Sequence, residues 1–168
     1  MFSIIVPIYN EEENINELVS EIYTSLWEYN DFELLIVNDC SNDNTVEVLS
    51  NLKKNYKVKI LTNKKNKGQS FSIHSGIVNS KFDTIITIDG DGQNNPKDIP
   101  KLIKIYFSDQ NLHLVGGLRS KRKDSIIKIL SSKIANYVRS KLLKDNCRDT
   151  GCSLKIFNKK LFLELPYF

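Results

Sequence analysis

Asp89-Gly90-Asp91-Gly92-Gln93 places two carboxylates and an amide oxygen at alternate positions, with glycines between them. On an extended backbone alternate residues point to one side, so Asp89, Asp91 and Gln93 would converge there. Hard oxygen donors suit Mg²⁺ or Mn²⁺, ions that take few protein groups and complete their shell with water and substrate phosphates. A calcium loop of the EF-hand type needs Gly at its sixth place and Glu at its twelfth. Counted from Asp89 those places hold Asn94 and Pro100, so that reading fails. The remaining alternative is a plain turn rich in Asp and Gly. Its place directly behind the apolar run TIITI favours the ion site. Asp39 follows another apolar run, FELLIV. A carboxylate there would accept hydrogen bonds from a base or a ribose, or would cap the next helix together with Ser41 and Asp43. Pro7, Tyr9 and Glu11 follow the first such run, and Glu11 in a first helical turn is favoured by the helix dipole alone.

Other chemistries are absent from the sequence. There is no G-x-x-x-x-G-K-[ST] loop and no G-x-G-x-x-G behind the first apolar run, which excludes a P-loop nucleotidase and speaks against a dinucleotide oxidoreductase. The two histidines, His74 and His113, lie in no zinc-like or nucleophile-like pattern. Three cysteines form an odd, sparse set, which points to a reducing compartment without a disulfide framework. With 168 residues, 40% of them hydrophobic and 26% charged, the chain has the size and balance of one globular domain with a real core. No apolar run approaches the length of about 20 residues that a bilayer requires.

Charge is segregated along the chain. Residues 1–52 hold eleven acidic side chains and no Lys or Arg, whereas residues 119–148 hold ten basic side chains against Asp124 and Asp145. That basic block is either the solvated face of a helix or a contact for phosphates or an anionic membrane surface. No recognised nucleic-acid module accompanies it, and nucleic acid is not an expected partner.

To bring the three polar runs together, the chain must fold so that the ends of several strands meet. Buried β-branched runs predict strands over 2–8, 32–37, 58–61, 84–88, 112–118 and 153–157. Helical periodicity predicts helices over 11–29, capped by Asn10 with Glu13 in a capping-box pattern, and over 45–56, 68–79, 100–107, 124–143 and 159–165. Such alternation predicts an α/β domain, a single Rossmann-like unit with a mostly parallel central sheet and helices on both faces. Ligands of such sheets bind beyond the carboxyl ends of the strands, where all three runs fall.

Taken together, VPIYNEEENI, VNDCSNDNT, NKGQSFSIHSGI, IDGDGQNNP and RDTGCSLKIF, in that order, resemble the family 2 glycosyltransferases of GT-A fold. Within the family the chain is most similar to the polyprenyl-phosphate sugar transferases, of dolichyl-phosphate mannose and undecaprenyl-phosphate type. The resemblance covers nearly the whole chain and implies a glycosyltransferase domain over 1–168, without the acceptor-side C-terminal segments of relatives. It implies that Pro7, Tyr9 and Glu11 hold the nucleotide base and ribose and that Asp39 recognises the base. It further implies that Asp89, Asp91 and Gln93 surround Mg²⁺ or Mn²⁺, that Arg119 lies near the donor phosphates, and that Asp149 is an acid near the reaction centre. This sequence departs from the pattern in reading Asn38-Asp39 where two acids are common, and Gly90 where Ala is common.

The implied reaction moves a sugar from a UDP- or GDP-linked donor to a lipid phosphate by one inverting displacement. The implied place is the cytoplasmic face of the membrane, held peripherally through the basic block against anionic lipid. Transfer to a polysaccharide or another soluble acceptor, and a donor-binding domain without turnover, are the alternatives.

Overall fold

The computed structural model describes residues 1–118 and 151–166. Arg119, Asp149, the basic block and the helix expected over 124–143 lie outside the described residues.

The run FSIIVPI is apolar at almost every position and forms β1 (Phe2–Ile8), buried at all seven residues. A strand hydrophobic on both faces belongs inside a parallel sheet. β1 pairs in parallel with β2 (Phe32–Asn38) from Phe2↔Phe32 to Ile8↔Asn38, and with β4 (Thr84–Thr87) on its other side. β3 (Val58–Thr62) pairs in parallel with β2. The sheet continues beyond β4 with β6 (Lys155–Asn158) and then β5 (Leu114–Gly116). The strand order is β3-β2-β1-β4-β6-β5, and β6 runs antiparallel to both its neighbours. The expected mostly parallel sheet is the one observed. Chain order turns back between β1 and β4, which opens a crevice at their carboxyl ends, the position where such sheets take ligands.

Alternate residues of β1 feed two cores, as the strand period dictates. Phe2, Ile4, Val6 and Ile8 pack with α1 (Ile15–Ser25), α2 (Thr45–Asn55) and α4 (Ile99–Ser108) on one face. Ile5 packs on the other face with Ile73 and Ile77 of α3 (Gln69–Val78) and with Phe162 of α5 (Lys159–Leu163). A Cβ on Gly76 would stand 2.4 Å from Ile5 Cγ2 and 3.1 Å from Val37 Cγ2, so its absence lets α3 lie close on the sheet. That contact fixes where the amino end of α3 reaches the crevice.

The entry into α1 differs from expectation. The helix begins at Ile15 and not at residue 11, and Asn10 is not its cap. Asn10 adopts φ +57°, a left-handed conformation that Asn tolerates better than most residues, and its side chain is used elsewhere. Residues 11–14 form a turn, with the Ile15 amide donating to the Glu11 carbonyl at 3.0 Å.

Candidate functional site

The loops after β1 and β2 are laced to each other before either can bind anything. The Asn10 amide donates to Ser41 Oγ at 2.9 Å, and Asn10 Oδ1 accepts from the Asn42 amide at 2.9 Å. The Glu11 amide donates to Thr45 Oγ1 at 3.0 Å, the Glu12 amide to Asp43 Oδ2 at 3.3 Å, and Glu12 Oε2 accepts from the Asn44 amide at 2.7 Å. Cys40, like Asn10, has positive φ, +62°. Asn38 is wholly buried, and its Oδ1 accepts from the Ser41 amide and hydroxyl at 3.0 and 2.7 Å. Five polar residues thus spend their hydrogen bonds on holding two short loops edge to edge, with Tyr9, 44% exposed, left on the surface of the crevice.

Asp39 has a different task from its neighbours. Asp43, not Asp39, takes an amide at the start of α2, accepting from Thr45 at 3.0 Å one residue ahead of the cap position, Asn44. The Asp39 carboxylate is buried and turned toward the loop before α3. It accepts from Asn63 Nδ2 at 2.6 Å, from the Lys67 amide at 3.0 Å and from the Gly68 amide at 2.7 Å. Burial pushes its pKa up, and these donors together with Ser72 outweigh it, leaving the group below its ordinary value. Asp39 both walls the crevice and pins the segment that faces it.

Asp89 leaves the end of β4 half-buried. Its amide donates to Ser153 Oγ at 3.3 Å, and its Oδ1 accepts from Gln69 Nε2. Thr87 Oγ1 donates to the Ser153 carbonyl at 2.6 Å, and Asn94 Nδ2 donates to Ser153 Oγ at 2.7 Å, so residue 153 stitches the end of β4 in place. Burial raises the pKa of Asp89; Ser153 opposes this, the nearby Asp91 charge adds to it, Gln69 and Lys155 oppose it, and the net direction is upward. Two carboxylates held near one another, one of them partly desolvated, form a site whose charge calls for a cation. Among the described residues no group of three or more His, Cys, Asp or Glu converges. Two carboxylates fit an ion that draws its other ligands from a diphosphate and water.

Pro7, Ile8, Tyr9, Glu11, Asp39, Asp89 and Asp91 line one cleft of about 290 Å³, closed on its far side by Asn66, Gly68, Gln69 and Ser72. Six of the residues singled out in the sequence are brought together there. Gln93 is not. Strand geometry stops at Thr87, the chain turns at Gly90 and Asp91, and Gly92 takes φ +69°, so the alternation assumed for 89, 91 and 93 does not survive past the strand. Gln93 uses its amide to close a turn on Asp91 Oδ1 at 3.0 Å and lines a separate pocket with Asn94 and Lys101. Gly90 is required sterically: a Cβ there would lie 2.5 Å from Ile8 Cγ2 and 3.2 Å from the Pro7 carbonyl oxygen.

Sequence reasoning assigned no role to Gln69, Ser153, Asn63 or Ser72. The first, third and fourth lie in or beside NKGQSFSIHSGI and Ser153 in RDTGCSLKIF, runs whose polar residues following a strand or leading into one were the available signal.

The sequence profile of Glycosyl transferase family 2 matches residues 3–165. Undecaprenyl-phosphate 4-deoxy-4-formamido-L-arabinose transferase of Photorhabdus laumondii subsp. laumondii is 34% identical over 163 residues, which are 95% of this chain and 49% of the relative. Dodecaprenyl-phosphate galacturonate synthase of Rhizobium johnstonii is 33% identical over 170 residues, covering 97% of this chain and 49% of the relative. The chain spans about half the length of the curated relatives it matches. Among solved structures, a mannosyltransferase from Pyrobaculum calidifontis in complex with GDP-Man and Mn²⁺ superposes with a TM-score of 0.73 at 17% identity, over 99% of this chain and 47% of that one. Glucosyl-3-phosphoglycerate synthase from Mycobacterium tuberculosis, in complex with Mn²⁺, UDP and phosphoglyceric acid, gives 0.76 at 16% identity, over 99% of this chain and 58% of that one.

Proposed function

The chain belongs to glycosyl transferase family 2 and has the GT-A architecture, and on that premise we propose that it transfers a sugar from a nucleotide-sugar donor to a polyprenyl phosphate. The observation that carries this reading is the cleft at the carboxyl ends of β1, β2 and β4, walled by Pro7, Tyr9, Glu11, Asp39, Asp89 and Asp91. Its size is at the small end of ligand pockets, suited to a nucleoside diphosphate laid along the strand ends. The curated relatives named above are transferases of sugars to polyprenyl phosphates, which supports the acceptor class.

Tyr9 and Glu11 would hold the nucleoside, Asp39 would fix the 63–68 segment beside it through Asn63 and the Lys67 and Gly68 amides, and Asp89 and Asp91 would hold Mg²⁺ or Mn²⁺. When bound, the ion supplies Lewis-acid neutralisation of the leaving diphosphate. Buried Gly90 keeps side-chain bulk out of the turn between the two aspartates. The acceptor oxygen attacks the anomeric carbon as the bond from that carbon to the donor phosphate oxygen breaks, and the electron pair leaves with the diphosphate. A lipid monophosphate brings an oxygen that is already anionic, so no side chain need remove a proton from it. Arg119, near the phosphates, and Asp149, near the reaction centre, complete the proposed set from outside the described residues.

Among the described residues no helix is long and apolar enough to cross a membrane. We assign the basic residues between 119 and 148 to contact with anionic lipid on the cytoplasmic face, which would bring the cleft to a membrane-borne acceptor.

The test is transfer of sugar from a panel of UDP- and GDP-sugars to undecaprenyl phosphate, in the unmodified chain and in Asp91→Asn. The variant keeps the shape and removes one ligand charge, and turnover is expected to fall by about 100-fold or more. Full turnover by the variant at ordinary Mg²⁺ or Mn²⁺ would show the cation assignment to be wrong. Transfer by the unmodified chain to a soluble saccharide only would show the acceptor assignment to be wrong.

A further inference from the structure

The two aspartates of the turn after β4 are held by different parts of the molecule. Asp91 is exposed, and its Oδ1 is bound within its own turn by the Gln93 amide. Asp89 is gripped from outside: Gln69 Nε2 donates to its Oδ1 across the crevice, from a residue twenty positions earlier in the chain. Gln69 is the first residue of α3, and its backbone is not free to drift. The preceding amides, those of Lys67 and Gly68, are both bound to the buried Asp39 carboxylate, and Asn63 Nδ2 binds it as well. Further along the helix, Gly76 seats α3 against Ile5 and Val37. The side-chain amide of Gln69 is therefore presented to Asp89 from a fixed point.

We propose that Gln69 is a positioning residue for the cation: by donating to Oδ1, alongside the Ser153 side chain, it sets the plane in which the Asp89 carboxylate meets the ion. The donor is a neutral amide, so it orients the carboxylate without neutralising it. A Lys in its place would compete with the ion for the same charge. Outer-shell partners of metal ligands commonly affect affinity by 10- to 100-fold when removed. The same segment that Asp39 organises thereby reaches the cation end of the cleft, and one short stretch, 63–69, supports both ends of the bound donor. This inference rests on the cation site of the proposed function.

The experiment measures Mn²⁺ binding by the loss of the free-ion electron paramagnetic resonance signal, with UDP or GDP present, for the unmodified chain and for Gln69→Leu. UDP and GDP binding in EDTA and the melting temperature are measured alongside. The expected result is Mn²⁺ affinity about 10-fold weaker in Gln69→Leu, with melting temperature unchanged and any change in metal-free nucleotide binding much smaller than that in Mn²⁺ affinity. Equal Mn²⁺ affinity in the two proteins would overturn the role of Gln69 and leave the cation site standing. A parallel fall in melting temperature and metal-free nucleotide binding would also overturn it, in favour of a role in holding the fold of the loop. No Mn²⁺ binding by the unmodified chain with either nucleotide would overturn the cation site, and this inference with it.

Discussion

Asp39 and Asp89 end strands on either side of β1, both facing the same cleft, and the protein treats them in opposite ways. Asp39 is buried and supplied with donors on both oxygens, so its charge is stabilised and its pKa lies below the ordinary value. Asp89 is half-buried, has fewer donors and stands beside Asp91, and its pKa is raised. The first carboxylate is satisfied by the protein itself and serves as an anchor. The second is left with charge to spare, the condition of a group waiting for a counter-ion.

The largest test of that contrast is a pair of substitutions. Asp39→Ala strips the partners from Asn63 and from the Lys67 and Gly68 amides, and the expected cost in urea unfolding is about 3 kcal/mol, with metal-free nucleotide binding impaired as well. Asp89→Ala is expected to cost no stability, or to add a little, since it removes a charge that the fold opposes, while Mn²⁺ binding is lost. Equal destabilisation by both substitutions would break the contrast.

Gly90 tests the floor between the two acids. Gly90→Ala forces a methyl group against Ile8 Cγ2 and the Pro7 carbonyl, and the expected destabilisation is about 1–2 kcal/mol. In an Ile8→Ala background, which removes the nearer obstacle, the added cost of Gly90→Ala should shrink, a coupling that a double-mutant cycle of unfolding free energies reads directly.

The smallest effects are those of pH. Asp39 and Asp43 both have lowered pKa values in the folded chain; burial opposes this in each, and the hydrogen bonds they accept prevail. A lowered group contributes stability that is complete above its unfolded value, 3.8, and is lost as pH falls through the folded value. Melting temperature should therefore decline below about pH 4, and the decline should be shallower in Asp39→Asn. Asp89 has the opposite sign: its raised pKa means that acid protonates it sooner, which favours the folded state while removing a cation ligand. Mn²⁺ affinity should accordingly fall at a higher pH than stability does, with calorimetry and Mn²⁺ titration as the two readings.

Much of this was legible in the residues. Runs such as FSIIVPI and TIITI are too apolar to be anything but buried strands, and their alternation with amphipathic segments requires a mostly parallel sheet. The polar residues just behind them then had to meet at one edge, and Pro7, Tyr9, Glu11, Asp39, Asp89 and Asp91 do. Gln93 does not join them, because the strand ends at Thr87. Its placement assumed that an extended backbone continues through two glycines, yet one of them turns to positive φ and carries Gln93 away. Asn10 failed as a cap for a similar reason, because the loop after β2 offered its amide and side chain better partners than the helix did.

What the sequence determined by itself is whatever depends on local pattern: which segments are strands or helices, and which side chains stand at the strand ends. Only the tertiary structure decided which carboxylate is satisfied and which is not. That outcome is set by side chains and amides far away in the chain, Gln69 and the Ser153 side chain for the Asp89 carboxylate, and Asn63 with the amides of Lys67 and Gly68 for Asp39. The charge of an acid is written in its own residue, but the free energy of that charge belongs to the neighbours that folding brings to it.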